Sequence, residues 1–145
     1  MQHAEIEIRE SVRQTLSDYT AATDSFDLAA LASCFAPDGV LEFTGGDGPL
    51  TGPAAIEAGL GAALSGSPEP DRPRPTYVRH HVSSVRFISV KPGRAQVSSY
   101  FAVYTDIGSD HWGRYRDVLV PHEGRWLFAH RRITVDSFSA SSLMA

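Results

Sequence analysis

The sequence predicts an α+β domain, with helices in the first half and a sheet in the second. Apolar residues recur at helical spacing through Glu5 to Ala22, at Ile6, Ile8, Val12, Leu16 and Tyr19. From Thr76 the period changes to two and holds through the strands that follow. Between these halves, Ser65 to Pro75 carries four prolines and several charges. That stretch reads as a surface loop and a candidate rim or lid for a pocket. Helices first and strands afterwards is the α+β pattern.

The elements follow in order. The first helix, Glu5 to Ala22, is long and amphipathic. Asp24-Ser25-Phe26-Asp27 interrupts it, and Asp27 suits the N-cap of a short second helix, Leu28 to Phe35. Ala36-Pro37-Asp38-Gly39 is a turn leading to a short strand, Val40 to Phe43. Gly45-Gly46-Asp47-Gly48-Pro49 is a loop. Pro53 opens a third helix, Pro53 to Leu64. Strands are expected at Thr76 to Val90, Arg94 to Thr105, His111 to Val120 and Arg125 to Val135, with turns at Lys91-Pro92-Gly93 and His122-Glu123-Gly124 and a loop at Asp106 to Asp110. Consecutive long antiparallel strands form a meander, curved where it wraps helices. Residues 1–136 read as one domain, and 137–145, rich in serine, as a frayed tail.

Composition narrows the function. A chain of 145 residues fits one domain and buries roughly two-thirds of its unfolded surface. Hydrophobic residues make up 42% and charged residues 21%, an ordinary globular balance. No stretch approaches the ~20 apolar residues that span a bilayer. Met1 to Arg13 is charged and lacks a secretory apolar core, so a cytoplasmic protein is expected. The net charge is −4 and the basic residues are scattered, which argues against a nucleic-acid partner. The single cysteine, Cys34, allows no intrachain disulfide and reads as a buried, inert thiol.

The candidate chemistry rests on dispersed polar residues. The glycine-rich loop lacks G-x-G-x-x-G spacing, so no nucleotide signature is present. His80 and His81 are adjacent, and on a regular strand they face opposite sides and cannot chelate one ion. No metal site is expected. Asp24 stands at a helix C-terminus, where the macrodipole disfavours an acid; it is either a turn residue or a functional one. His81 shares its parity with Ser83, Val85 and Phe87, a set that reads as inward-facing. Arg131 and Arg132 alternate, so at most one points inward.

These residues carry a resemblance. Tyr19 is followed by Asp24-Ser-Phe-Asp27-Leu-Ala-Ala-Leu31. Phe35-Ala-Pro-Asp-Gly39 leads into a strand, and Gly52 opens a short helix. Arg79-His80-His81-Val82-Ser83 begins a long strand. Gly113-Arg-Tyr115-Arg-Asp117 precedes Gly124-Arg-Trp126-Leu-Phe128 and Arg131-Arg132. In this order the chain resembles the SnoaL-like branch of the nuclear transport factor 2-like superfamily, and within it the scytalone dehydratase-like group. The resemblance implies a cone-shaped fold, a curved antiparallel sheet wrapped around three helices and enclosing a pocket. It places Asp24 and His81 at the acid–histidine pair of the dehydratases, which work without a cofactor. There, histidine takes a proton beside a carbonyl and then protonates a departing hydroxyl, while the carboxylate orients it.

The match is partial. Those dehydratases use a second histidine and tyrosines against the substrate carbonyl. The nearest positions on the following strand are Tyr104 and Thr105, and neither is histidine. Tyr19, Tyr100 and Tyr115 are candidate phenols, and His111 lies one strand later. Asp117 shares the parity of Tyr115, where the family often carries an acid. The expectation is a cofactor-independent lyase or isomerase acting on a small apolar cyclic or polyketide-like substrate. Asp24 and His81 would be catalytic, with Tyr19, Tyr104, Tyr115, His111 and Asp117 binding substrate. A non-catalytic binding or docking domain is the alternative. Epoxide hydrolysis is a third, for which Asp117 and Arg131 give an incomplete Asp-Arg-Asp set. A homodimer or higher homo-oligomer is expected, because Val118, Val120 and Trp126 would leave one sheet face apolar.

Overall fold

The computed structural model describes residues 1–65 and 73–145. Residues 66–72 of the expected pocket rim lie outside the described residues. Helix α1 spans His3–Asp24 and buries Val12, Thr15, Leu16, Tyr19 and Ala22; of the expected stripe Val12, Leu16 and Tyr19 are buried, Ile8 packs partly buried against the core and Ile6 is exposed. The Thr15 hydroxyl donates to the Trp126 carbonyl and ties the helix to the sheet. The helix stops because Phe26 takes a left-handed φ of 56°. Asp27 then accepts from the Ala30 N–H at 3.0 Å and caps α2, Leu28–Ala32.

Strand β1 spans Phe35–Phe43, which includes the expected Ala36–Gly39 turn. It runs parallel to the last strand, with a break in register between Phe35 and Val40. Gly39 permits that approach: a Cβ there would stand 2.5 Å from the Phe128 carbonyl oxygen. Strand β2, Leu50–Thr51, pairs with β1, and α3, Pro53–Ser65, follows. The meander comprises β3, Arg79–Lys91; β4, Arg94–Thr105; β5, Gly108–His122; and β6, Arg125–Phe138. The sheet order is β2-β1-β6-β5-β4-β3. The core joins the buried stripe of α1 and Leu31 and Ile56 of α2 and α3 to the inner residues of the sheet, among them Val97, Phe101, Tyr115 and Phe128.

Two β-bulges decide which side chains face that core. In β3 the register with β4 shifts between Ser83 and Arg86, and Ser84 takes a φ of 52°. Val85 and Phe87 do face inward, as their parity suggests. The bulge reverses the parity upstream, so His80 and Val82 face inward and His81 is exposed. In β5 the register with β4 shifts beside Asp110: Val103 pairs with His111 and Tyr104 with Ser109. Two consecutive residues, Asp110 and His111, are therefore both buried. The expected Asp106–Asp110 loop is thus mostly strand.

Two further expectations are corrected. Trp126 is buried in the core, not on the outer face, because it shares the inward parity of Phe128 on β6; the register with β5 shifts only beyond Phe128, between Val118 and Leu119. Tyr100, Tyr104 and Trp112 are the exposed aromatics of that face. The C-terminus is also not a free tail. β6 runs to Phe138, the Ser139 N–H donates to the Asp110 carbonyl at 2.8 Å, and Met144 packs against the core. Among the described residues, no helix is long and apolar enough to cross a membrane.

Gly113 is the tightest point of the sheet. A Cβ there would meet the Thr134 carbonyl oxygen at 1.9 Å and the Phe101 ring at 2.9 Å. Gly113→Ala should therefore destabilise the fold by at least the ~1–3 kcal/mol of an overpacked core. Gly93→Ala meets nothing within 4 Å and should change stability by less than about 0.5 kcal/mol. Urea denaturation of both variants measures the difference.

Candidate functional site

Asp24 closes α1 with no basic residue in its last turn. The dipole there opposes a negative charge. Strand β3 supplies the compensation. The His80 backbone N–H donates to Asp24 Oδ1 at 3.1 Å and lies 3.3 Å from Oδ2, and the His80 ring Nδ1 lies 2.7 Å from Oδ1. Side-chain exposure is only 10% for His80 and 18% for Asp24, so the contact is largely shielded from water. Asp24 thus contacts His80 and not the expected His81. His81 projects from the opposite side of β3, against the exposed Tyr104 ring at 4.9 Å. Neither His81 nor Tyr104 lines the interior.

His80 faces a cavity of about 250 Å³. This lies just below the roughly 300–1,000 Å³ typical of small-molecule sites. Tyr19, Phe101, His111 and Tyr115 share its wall with Leu31, Leu60, Val78, Ile133 and Met144. A larger groove of about 550 Å³ runs between α1 and β3, lined by Arg13, Leu16, Thr20, Asp24, Val82 and Val85. It is open and touches Asp24 but neither histidine, so the imidazoles belong to the inner cavity. His80 and His111 flank Phe101, with ring centroids 6.5 and 6.2 Å from it.

Electrostatics sort the roles. Burial pulls the His80 pKa below its ordinary 6.5, while the hydrogen bond and charge of Asp24 resist the fall. The ring is therefore neutral at pH 7. With Asp24 accepting from Nδ1–H, the lone pair sits on Nε2. His111 is held similarly, its Nδ1 lying 2.7 Å from Asp110 Oδ1. Burial pushes the Asp110 carboxyl up, but donors from Ser142, His111, Leu143 and Thr105 outweigh it and hold the group below the usual carboxylate range. Burial raises the pKa of both Tyr19 and Tyr115, which stay protonated phenols.

Asp117 is buried but does not line the cavity. Arg131 donates to it twice, Nε to Oδ1 at 2.9 Å and Nη2 to Oδ2 at 3.2 Å. Burial would lower the guanidinium pKa, yet the Asp117 charge holds it above its ordinary value. The Arg131 guanidinium carbon lies 3.6 Å from the Tyr115 ring centroid and 4.2 Å from that of Tyr19. The pair is a charged support for the two tyrosines. Of the expected residues, the structure thus brings Asp24, Tyr19, Tyr115 and His111 together, and leaves out His81, Tyr104 and Asp117. It adds His80 to the cavity wall, with Asp110 bonded to His111 and Arg131 against the rings of Tyr19 and Tyr115. Only a bulge position, which sequence periodicity does not reveal, separates His80 from His81.

Among the described residues, no three His, Cys, Asp or Glu side chains cluster as a metal site would require. Cys34 is buried, and burial raises its thiol pKa.

The His80 pKa carries a sign. It is lower in the folded state than in the unfolded chain, so its contribution to stability is full above pH 6.5 and declines as pH falls through the folded value. Titration by NMR should place the His80 midpoint below 6.5. Asp24→Asn should move it lower still, because the carboxylate is what holds it up.

A family model described as a SnoaL-like domain matches residues 4–132. A putative scytalone dehydratase from Novosphingobium aromaticivorans superposes with a TM-score of 0.79 at 19% identity, covering 96% of this chain and 91% of that one. A protein from Catenulispora acidiphila gives 0.78 at 26% identity, covering 93% and 96%. An NTF2-like protein with a cystatin-like fold from N. aromaticivorans gives 0.73 at 20% identity, covering 97% and 90%. No curated protein matches the sequence. The helices, the curved six-stranded sheet and the family match across most of its length identify the chain as a member of the SnoaL-like domain family, with the NTF2-like fold.

Proposed function

We propose that this protein is a cofactor-independent lyase or isomerase that moves protons on a small, largely apolar, carbonyl-bearing molecule. The observation that carries this reading is the 2.7 Å contact between Asp24 and His80 at the wall of a mostly apolar cavity. Asp24 fixes the tautomer, and neutral His80 presents Nε2 as a base. A carbon acid beside a carbonyl gives its proton to Nε2. The imidazolium so formed lies against the Asp24 carboxylate, which stabilises it. The same proton can return to a neighbouring carbon, completing an isomerisation, or to a departing hydroxyl, completing a dehydration. Tyr19 and Tyr115 stay protonated, which suits them to donate to the oxygen where enolate charge collects. His111 is the second imidazole on the same wall.

The likeness to a putative scytalone dehydratase supports this class of chemistry without naming the substrate. The cavity volume favours a single or fused ring over a long chain. Epoxide hydrolysis finds less support. Asp117 and Arg131 do not line the cavity, and Asp24 is bonded to His80.

Small cyclic ketones and β-hydroxy ketones incubated in D₂O test the reading by mass spectrometry. Wild-type protein should accelerate deuterium entry beside the carbonyl, or elimination of water. His80→Gln and Asp24→Asn should each lose about 10²–10⁴-fold, the scale of general acid–base assistance. His81→Gln should retain full activity. Binding of these compounds with no exchange above buffer would identify a ligand-binding domain instead.

A further inference from the structure

The Asp110–His111 unit has a feature that the Asp24–His80 unit lacks: its carboxylate also anchors the chain's C-terminus. Asp110 is fully buried. Its Oδ1 accepts from His111 Nδ1 at 2.7 Å and from the Ser142 hydroxyl at 2.6 Å. Its Oδ2 accepts from the Leu143 N–H at 2.8 Å and from the Thr105 hydroxyl at 3.1 Å. Its backbone carbonyl accepts the Ser139 N–H. The Met144 and Ala145 N–H groups donate to Ser142 Oγ, so the terminal turn folds around the same point. Met144 then contributes its side chain to the cavity wall beside His111.

We propose that Asp110 is the positioning residue for His111, and that it does so only while the Ser142–Met144 strap is seated. The strap would thus orient the second imidazole and bring Met144 to the cavity wall together. Four donors hold Asp110 ionised, so the carboxylate is an acceptor only and His111 must donate from Nδ1. In the neutral imidazole, Nε2 is then the bare nitrogen of His111. Undocking the strap removes two of the four donors and opens the carboxylate to water. Water competes for Oδ1, and the preference of His111 for one tautomer weakens. His80 has no such tie, because Asp24 is held by β3 itself. The strap therefore acts on one imidazole and leaves the other unchanged.

This inference rests on the reading of the cavity as a proton-transfer site, but its test needs no turnover. Long-range ¹H–¹⁵N spectra of the resting, full-length, ¹⁵N-labelled protein report the tautomer of each histidine. Wild-type His111 should be a single Nδ1–H tautomer. Asp110→Asn should shift its nitrogen resonances strongly toward a mixed or inverted state. The milder Ser142→Ala and Leu143→Pro, combined in one chain, should shift them part of the way, with the His80 signals unmoved. If Asp110→Asn does not fold, the strap variant still decides. A His111 tautomer unchanged in the strap variant overturns the proposal, as does an equal shift at His80. Inactivity on every ketone with the predicted tautomer shifts would instead count against proton transfer alone.

Discussion

The Asp24 carboxylate joins the end of α1 to the beginning of β3 by taking both the backbone and the ring of His80. A negative charge at a helix C-terminus is unfavourable on its own. Hydrogen bonds to a charged group, each contributing roughly 1.5–3 kcal/mol, reverse that balance. One contact thereby sets where the first helix stops against the sheet, orients the imidazole and fixes its tautomer. Burial keeps that imidazole neutral and basic. The fold's closure and its candidate chemistry share this contact.

Among the described residues, three buried or half-buried carboxylates are each matched to a different cation or donor set. Asp24 holds His80, Asp110 holds His111, and Asp117 holds Arg131. An isolated buried charge would cost several kcal/mol, so the pairings are conditions for the fold as well as features of the site. They also divide the labour. The Asp117–Arg131 pair lies under Tyr19 and Tyr115 and supports their rings. The two Asp–His pairs flank Phe101 and leave one ring nitrogen of each imidazole free of its carboxylate.

Much of this was legible in the sequence. The amphipathic stripe of α1, the Asp27 cap, the Pro53 helix and the change of period after Thr76 are local signals, and each matches its element. Asp24 stood out because an acid at that position needs compensation. The choice between His80 and His81 was not legible. Strand parity was read back from Val85 and Phe87, which do face inward, but the bulge at Ser83–Ser84 inverts parity between them and the histidines. A bulge costs one residue and leaves little compositional mark. The bulge at Asp110 likewise hid a buried acid inside an apparent loop. The C-terminal serines looked like a frayed end because their partner, Asp110, is some thirty residues away in sequence and adjacent only in space.

The pairing of Asp24 with His80 rather than His81 is tested most directly by double-mutant cycles read as unfolding free energies. Asp24→Ala combined with His80→Ala should show a coupling of about 0.5–3 kcal/mol, as expected for side chains in direct contact. Asp24→Ala combined with His81→Ala should be additive to within about 0.5 kcal/mol. Additivity at His80, or coupling at His81, would contradict the assignment of the dyad.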